Sequence, residues 1–142
     1  MDARKVVNGH LAVLGSELGL DGLALDDDGI VNFRFAEKVL TSVALQDDSS
    51  FLLFSPLLTP DEEAMRTALK ANFLWADTDG ATLAIEPETG QLAIHKRVPL
   101  DGLEYPAFHA ALDAFIETAS QFLELFGQTA ATDGAPTDLK FD

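Results

Sequence analysis

Apolar residues recur at a helical spacing at the start of the chain and switch to alternation after Gly29, and that change of period confines the chain to a mixed α+β architecture. Val7, Leu11, Leu14 and Leu18 lie on one stripe of a helix expected over Ala3–Leu18, with Gly19 as its stop. Asp26-Asp27-Asp28-Gly29 is turn chemistry. Beyond it, Ile30–Phe35 alternates, with Val31, Phe33 and Phe35 on one side and Asn32 and Arg34 on the other. Val39–Leu45 is rich in β-branched residues, and Phe51–Leu58 is apolar on both faces until Ser55-Pro56. Asp47-Asp48-Ser49-Ser50 joins these last two as a polar hairpin loop, so the three runs read as an antiparallel meander.

A second helix starts next. Thr59 is placed to cap it, Pro60 suits the first helical position and Glu62 completes a capping box. It is expected over Asp61–Ala76, burying Met65, Leu69 and Phe73 in one stripe before Asp77-Thr78-Asp79-Gly80 ends it. A hairpin follows: Leu83 and Ile85 alternate, Pro87-Glu88-Thr89-Gly90 turns, and Leu92, Ile94 and Val98 return. The last helix, from about Pro106 to Phe126, repeats Phe108, Leu112, Phe115, Phe122 and Phe126 on one side. The order α-βββ-α-ββ-α predicts a twisted antiparallel sheet flanked by helices. A chain of 142 residues, 47% of them apolar, suits one domain over 1–127. Residues 128–142, rich in Thr, Ala, Asp, Gly and Pro, are expected to form a disordered tail that folding does not need.

Charge and motif content exclude several functions. With 24 acidic against 9 basic residues, a formal charge of -15 speaks against nucleic-acid binding and against docking on an anionic membrane. No cysteine is present, hence no disulfide, thiolate metal site or cysteine nucleophile. Placing Gly29 or Gly80 sixth in a calcium loop puts Ala24 or Trp75 first, and neither is a ligand. Gly15-Ser16-Glu17-Leu18-Gly19 has its serine beside the first glycine, unlike a nucleophile elbow. His10, His95 and His109 share no ligand spacing, and Glu62, Glu86 and Glu88 read as solvated surface. No catalytic residue, metal or cofactor is therefore expected. Met1-Asp2-Ala3-Arg4-Lys5 lacks a signal-peptide core and no apolar stretch approaches a membrane span, so a cytoplasmic location is expected.

The doubly apolar run around Leu52, Phe54, Leu57 and Leu58 leaves two readings. Either it is sandwiched between layers, or part of its second face awaits a partner. The middle helix carries Met65, Leu69, Phe73 and Trp75 around more of its circumference than one sheet face covers, which points to a symmetric partner.

Several stretches carry a resemblance: Leu18-Gly19-Leu20 with Leu25, Asp27 and Gly29; Ser55-Pro56-Leu57-Leu58-Thr59-Pro60; the helix ending Ala71-Asn72-Phe73; and the run from Gly80 through Leu92. Over about residues 3–126 the chain resembles the class I type III secretion chaperones, the Tir-chaperone (CesT-like) family. The resemblance implies a homodimeric, ATP-independent cytoplasmic chaperone. Such a protein holds the N-terminal chaperone-binding segment of a secreted effector in extended form and delivers it to the secretion ATPase. It implies a dimer contact on the middle helix, at Met65, Leu69, Phe73 and Trp75. It places the effector on apolar patches of the first helix and the sheet, at Leu11, Leu14, Leu18, Phe33, Phe35 and Leu53. Two alternatives differ in class: a regulatory domain of the same fold that binds a folded partner, and a small hydrolase or isomerase.

Overall fold

A computed structural model describes residues 2–35, 39–127 and 140–141. The chain runs α1 (Ala3–Leu18), β1 (Ile30–Phe35), β2 (Val39–Asp47), β3 (Ser50–Leu58), α2 (Glu62–Ala71), a 3-10 turn (Phe73–Trp75), β4 (Thr82–Ile85), β5 (Leu92–Pro99), α3 (Tyr105–Gly127) and β6 (Lys140–Phe141). This is the expected α+β order, with β6 added. The expectation of a structureless tail falls on residues 128–139 and 142, outside the described residues, whereas Lys140–Phe141 pair with β1.

The sheet order is β4-β5-β3-β2-β1-β6. Strands β1 to β3 form the expected antiparallel meander, with Val31 opposite Val43 and Val43 opposite Leu53. Strand β5 then returns along the far side of β3, opposing Phe51 with Val98 and Ser55 with Ile94, and β4 closes that edge. Pro56 sits in the central strand, where it has no N–H to contribute to a ladder. The β2–β3 register accordingly stops at Ser42 and Phe54, and the Ser55 hydroxyl donates to the Leu40 carbonyl at 2.7 Å.

Helices α1 and α3 cover one sheet face. Val7, Leu11 and Leu14 of α1, Phe33, Val43, Phe51 and Leu53 of the sheet, and Phe108, Phe115 and Phe122 of α3 are buried together. A side chain such as Leu53, fully buried, contributes about 1.5–3 kcal/mol by leaving water. Helix α1 begins with the Asp2 carboxylate accepting from Lys5 N, and ends in a left-handed Gly19 at φ 74°. Leu20 N then donates to Gly15 O at 2.7 Å, closing a Schellman motif. A Cβ on Gly15 would lie 2.8 Å from Leu20 O, so only glycine lets the chain fold back this closely.

The two long helices are joined by polar contacts as well. His10 Nε2 donates to Leu103 O at 3.1 Å, which fixes its tautomer, and its ring stacks on Phe108. The Tyr105 hydroxyl donates to Glu17 at 2.6 Å. Burial, and then that carboxylate, hold the Tyr105 proton well above the usual phenol range.

Carboxylates organise two turns. Asp47 accepts from Ser49 N at 2.8 Å and from the Ser49 and Ser50 hydroxyls, and Glu86 accepts from Thr89 N at 2.7 Å and Glu88 N at 3.1 Å. The backbone bond from Ser49 is the chief cause lowering Asp47, and that from Thr89 the chief cause lowering Glu86. A carboxyl lowered by folding adds stability above its unfolded pKa, and that stability is lost as pH falls through the folded value. The Ser49 and Thr89 amide shifts should therefore titrate with midpoints below those of free Asp and Glu, as NMR can follow; midpoints at the free values would mean these turn bonds do not form.

Candidate functional site

Helix α2 is expected to bury its large apolar residues and does the reverse. Ala64, Ala68 and Ala71 face inward, while Met65 is 39%, Leu69 72%, Phe73 75% and Trp75 54% exposed. Its start also differs from expectation: Asp61, not Thr59, is the cap, its carboxylate accepting from Ala64 N at 2.8 Å. Glu62 and Glu63 in the first turn suit the positive end of the helix dipole. The α-helix expected to Ala76 stops at Ala71, a 3-10 turn follows in which Leu74 leaves helical φ/ψ, and Asn72 between them turns its side chain to the sheet.

Asn72 acts as a clamp. Its Nδ2 donates to Leu83 O and its Oδ1 accepts from Leu83 N, both at 2.8 Å. A side-chain amide thus reproduces on edge strand β4 the pair of bonds that another strand would make. The next residues fold tightly against the same strand. Leu74 and Trp75 both adopt φ 58°, a left-handed conformation that costs about 1–2 kcal/mol for a residue with a Cβ. Trp75 N donates to Asn72 O, Gly80 N donates to Trp75 O, and the Trp75 indole N–H reaches the Thr82 hydroxyl at 3.2 Å. These bonds hold the strained turn so that Phe73 and Leu74 project into solvent. Four residues expected at a dimer contact, Met65, Leu69, Phe73 and Trp75, therefore lie on one short exposed segment, extended by Leu74.

The residues expected to hold an effector are placed differently. Leu11, Leu14, Phe33 and Leu53 are buried in the core, and Leu18 is half-buried against it. The backbone of Phe35 ends β1, and its side chain lies outside the described residues. The apolar stripe of α1 and the inner face of the sheet consume each other, so neither is offered to a partner in this chain. The opposite sheet face is the open one. Leu40 and Ala44 of β2 and Leu52, Phe54 and Pro56 of β3 are only half-buried, with Phe54 opposite His95 and Leu52 opposite Arg97. The signal in the sequence was the doubly apolar third strand: Phe51, Leu53 and Leu57 point into the core and Leu52, Phe54 and Pro56 point away from it.

Among the described residues, no group of His, Cys, Asp or Glu could hold a metal ion, and no helix is long and apolar enough to cross a membrane. What this surface offers is apolar contact, which suits a polypeptide partner.

The profile of the Tir chaperone protein (CesT) family matches residues 10–123. The chain belongs to that family. Solved structures agree on the CesT-type fold. A chain of the ExsC–ExsE complex superposes with a TM-score of 0.77 at 23% identity, covering 88% of this chain and 96% of that one. A chain of the HopA1–SchA chaperone–effector complex gives 0.69 at 17% identity, covering 85% and 95%. One from the ExoU–SpcU complex of the Pseudomonas aeruginosa type III secretion system gives 0.62 at 18% identity, covering 84% and 96%. No curated protein matches by sequence.

Asn72→Ala removes both clamp bonds and leaves the Leu83 N–H and C=O without them. Urea denaturation should show a loss of about 1–3 kcal/mol; an unchanged midpoint would mean the clamp adds nothing.

Proposed function

We propose that this chain is a type III secretion chaperone that binds the N-terminal segment of a secreted effector in extended form and keeps it competent for export. Membership of the CesT family carries this reading. Its action is binding rather than catalysis, with no nucleotide or metal, in the cytoplasm, ahead of transfer to the secretion ATPase. Each of the three solved structures described above is a complex, one of them of a chaperone with an effector, which supports a polypeptide client.

The working unit is a homodimer joined through Met65, Leu69, Phe73 and Trp75. Exposed apolar side chains on a segment held by strained, hydrogen-bonded backbone support this contact. A stable pair would bury about 1,200–2,000 Å² in total. The client lies along the half-buried sheet face at Leu40, Leu52 and Phe54. A segment with apolar residues at alternate positions would present one side to this surface.

Leu69→Asp with Phe73→Asp should convert the dimer to a monomer in sedimentation at micromolar concentration while circular dichroism stays unchanged, because both residues are solvent-exposed in one chain. A dimer that persists would move the interface elsewhere. For the client, co-expression with neighbouring open reading frames and capture identifies the bound segment. Phe54→Asp should then weaken its binding by about 1–3 kcal/mol with the dimer intact. If the captured partner's protected region is instead a compact folded domain, a regulatory domain of this fold replaces the chaperone reading.

A further inference from the structure

The sheet has two edges, and they are treated differently. At β4 the Asn72 amide takes both main-chain groups of Leu83, so a visiting strand finds that position already bonded. At β1 the sheet instead accepts a strand: Arg34 pairs with Lys140 and Phe35 with Phe141, in parallel. All other strand pairs described in the sheet are antiparallel, and neighbours in it otherwise come from the body of the fold. The visitor comes from the far end of the chain, in a Leu139-Lys140-Phe141 sequence that alternates apolar and polar residues as an edge-added strand does.

We propose that the chain's own C-terminal segment at Lys140–Phe141 holds the outer edge of β1 as an internal stand-in until an extended client displaces it. The proposal rests on the chaperone reading above for the identity of the displacing strand. The pairing spans two residues of a six-residue strand, so it is short enough to be outcompeted by a client that pairs along more of β1. Occupancy in cis lowers the apparent affinity for a client by the fraction of time the edge is closed. It also shields an edge that could otherwise pair with a second sheet.

Hydrogen exchange on the full chain tests this against the double variant Lys140→Pro/Phe141→Pro, which removes both N–H donors without shortening the chain. Outward-facing β1 amides around Arg34 and Phe35 should exchange at least five-fold faster in the variant, while β3 and β4 amides stay unchanged and report an intact fold. A synthetic peptide of residues 134–142, added at millimolar concentration, should restore the lost protection. Equal exchange in both proteins would show that Lys140–Phe141 does not hold the edge. Failure of the peptide to restore protection would show that the edge does not take a strand from another molecule. A client captured by co-expression should bind the variant at least three-fold more tightly, and equal affinity would exclude displacement. Capture of no client at all would count against the chaperone reading, with the exchange comparison still deciding what occupies β1.

Discussion

Burial of one side of β3 against α1 and α3 supports everything else in this molecule. Phe51 and Leu53 are among its most buried side chains; the Phe51 ring meets that of Phe108 at 5.6 Å, and both residues share one core cluster with Leu11. Because both long helices lie on that side, the opposite face of the same strand keeps Leu52, Phe54 and Pro56 only partly covered. Buried and partly exposed side chains are thus divided between odd and even positions of one strand. A one-residue slip of β3 would exchange them.

Much of the architecture was legible because its signals are local. Strand β1 has the expected bounds, and β2 and β3 lengthen only into their polar turn, where Asp47 and the two serines bond one another. Helix α1 ends where Gly19 supplies a left-handed residue. Reading α2 failed for a definite reason. Ala64, Ala68 and Ala71 form as good a helical stripe as Met65, Leu69 and Phe73, and ranking stripes by side-chain size selects the wrong one. Alanines bring a helix backbone close to its support, and the bulky stripe is then left facing out. The Asn72 clamp has no pattern to betray it, since its partner Leu83 is recognised only in three dimensions.

Candidate contact residues followed the same division. Spacing identified which side chains share a face, and the four expected at a dimer contact do emerge on one exposed segment. It does not say which face of a sheet two helices choose, and Leu11, Leu14, Phe33 and Leu53, candidates for an effector contact that suit a core equally well, are core. A formal charge of -15 sets up repulsion between copies, but at physiological salt that repulsion is largely screened beyond about 8 Å. Close approach through a complementary apolar patch is therefore still open to a partner.

The strand order has a consequence for synthesis. Strands β1, β2 and β3 are neighbours in sequence and in space, but β3 acquires its second neighbour only when β5 arrives, Ser50 pairing with Pro99. Between those two residues the ribosome must also produce α2 and β4. Throughout that interval a strand that carries six Phe and Leu residues stands at an open edge of a nascent three-stranded sheet. Emerging chains on one message would hold such edges close together, and the slow, long-range closure by β5 is the step at which this protein is most exposed to misassembly.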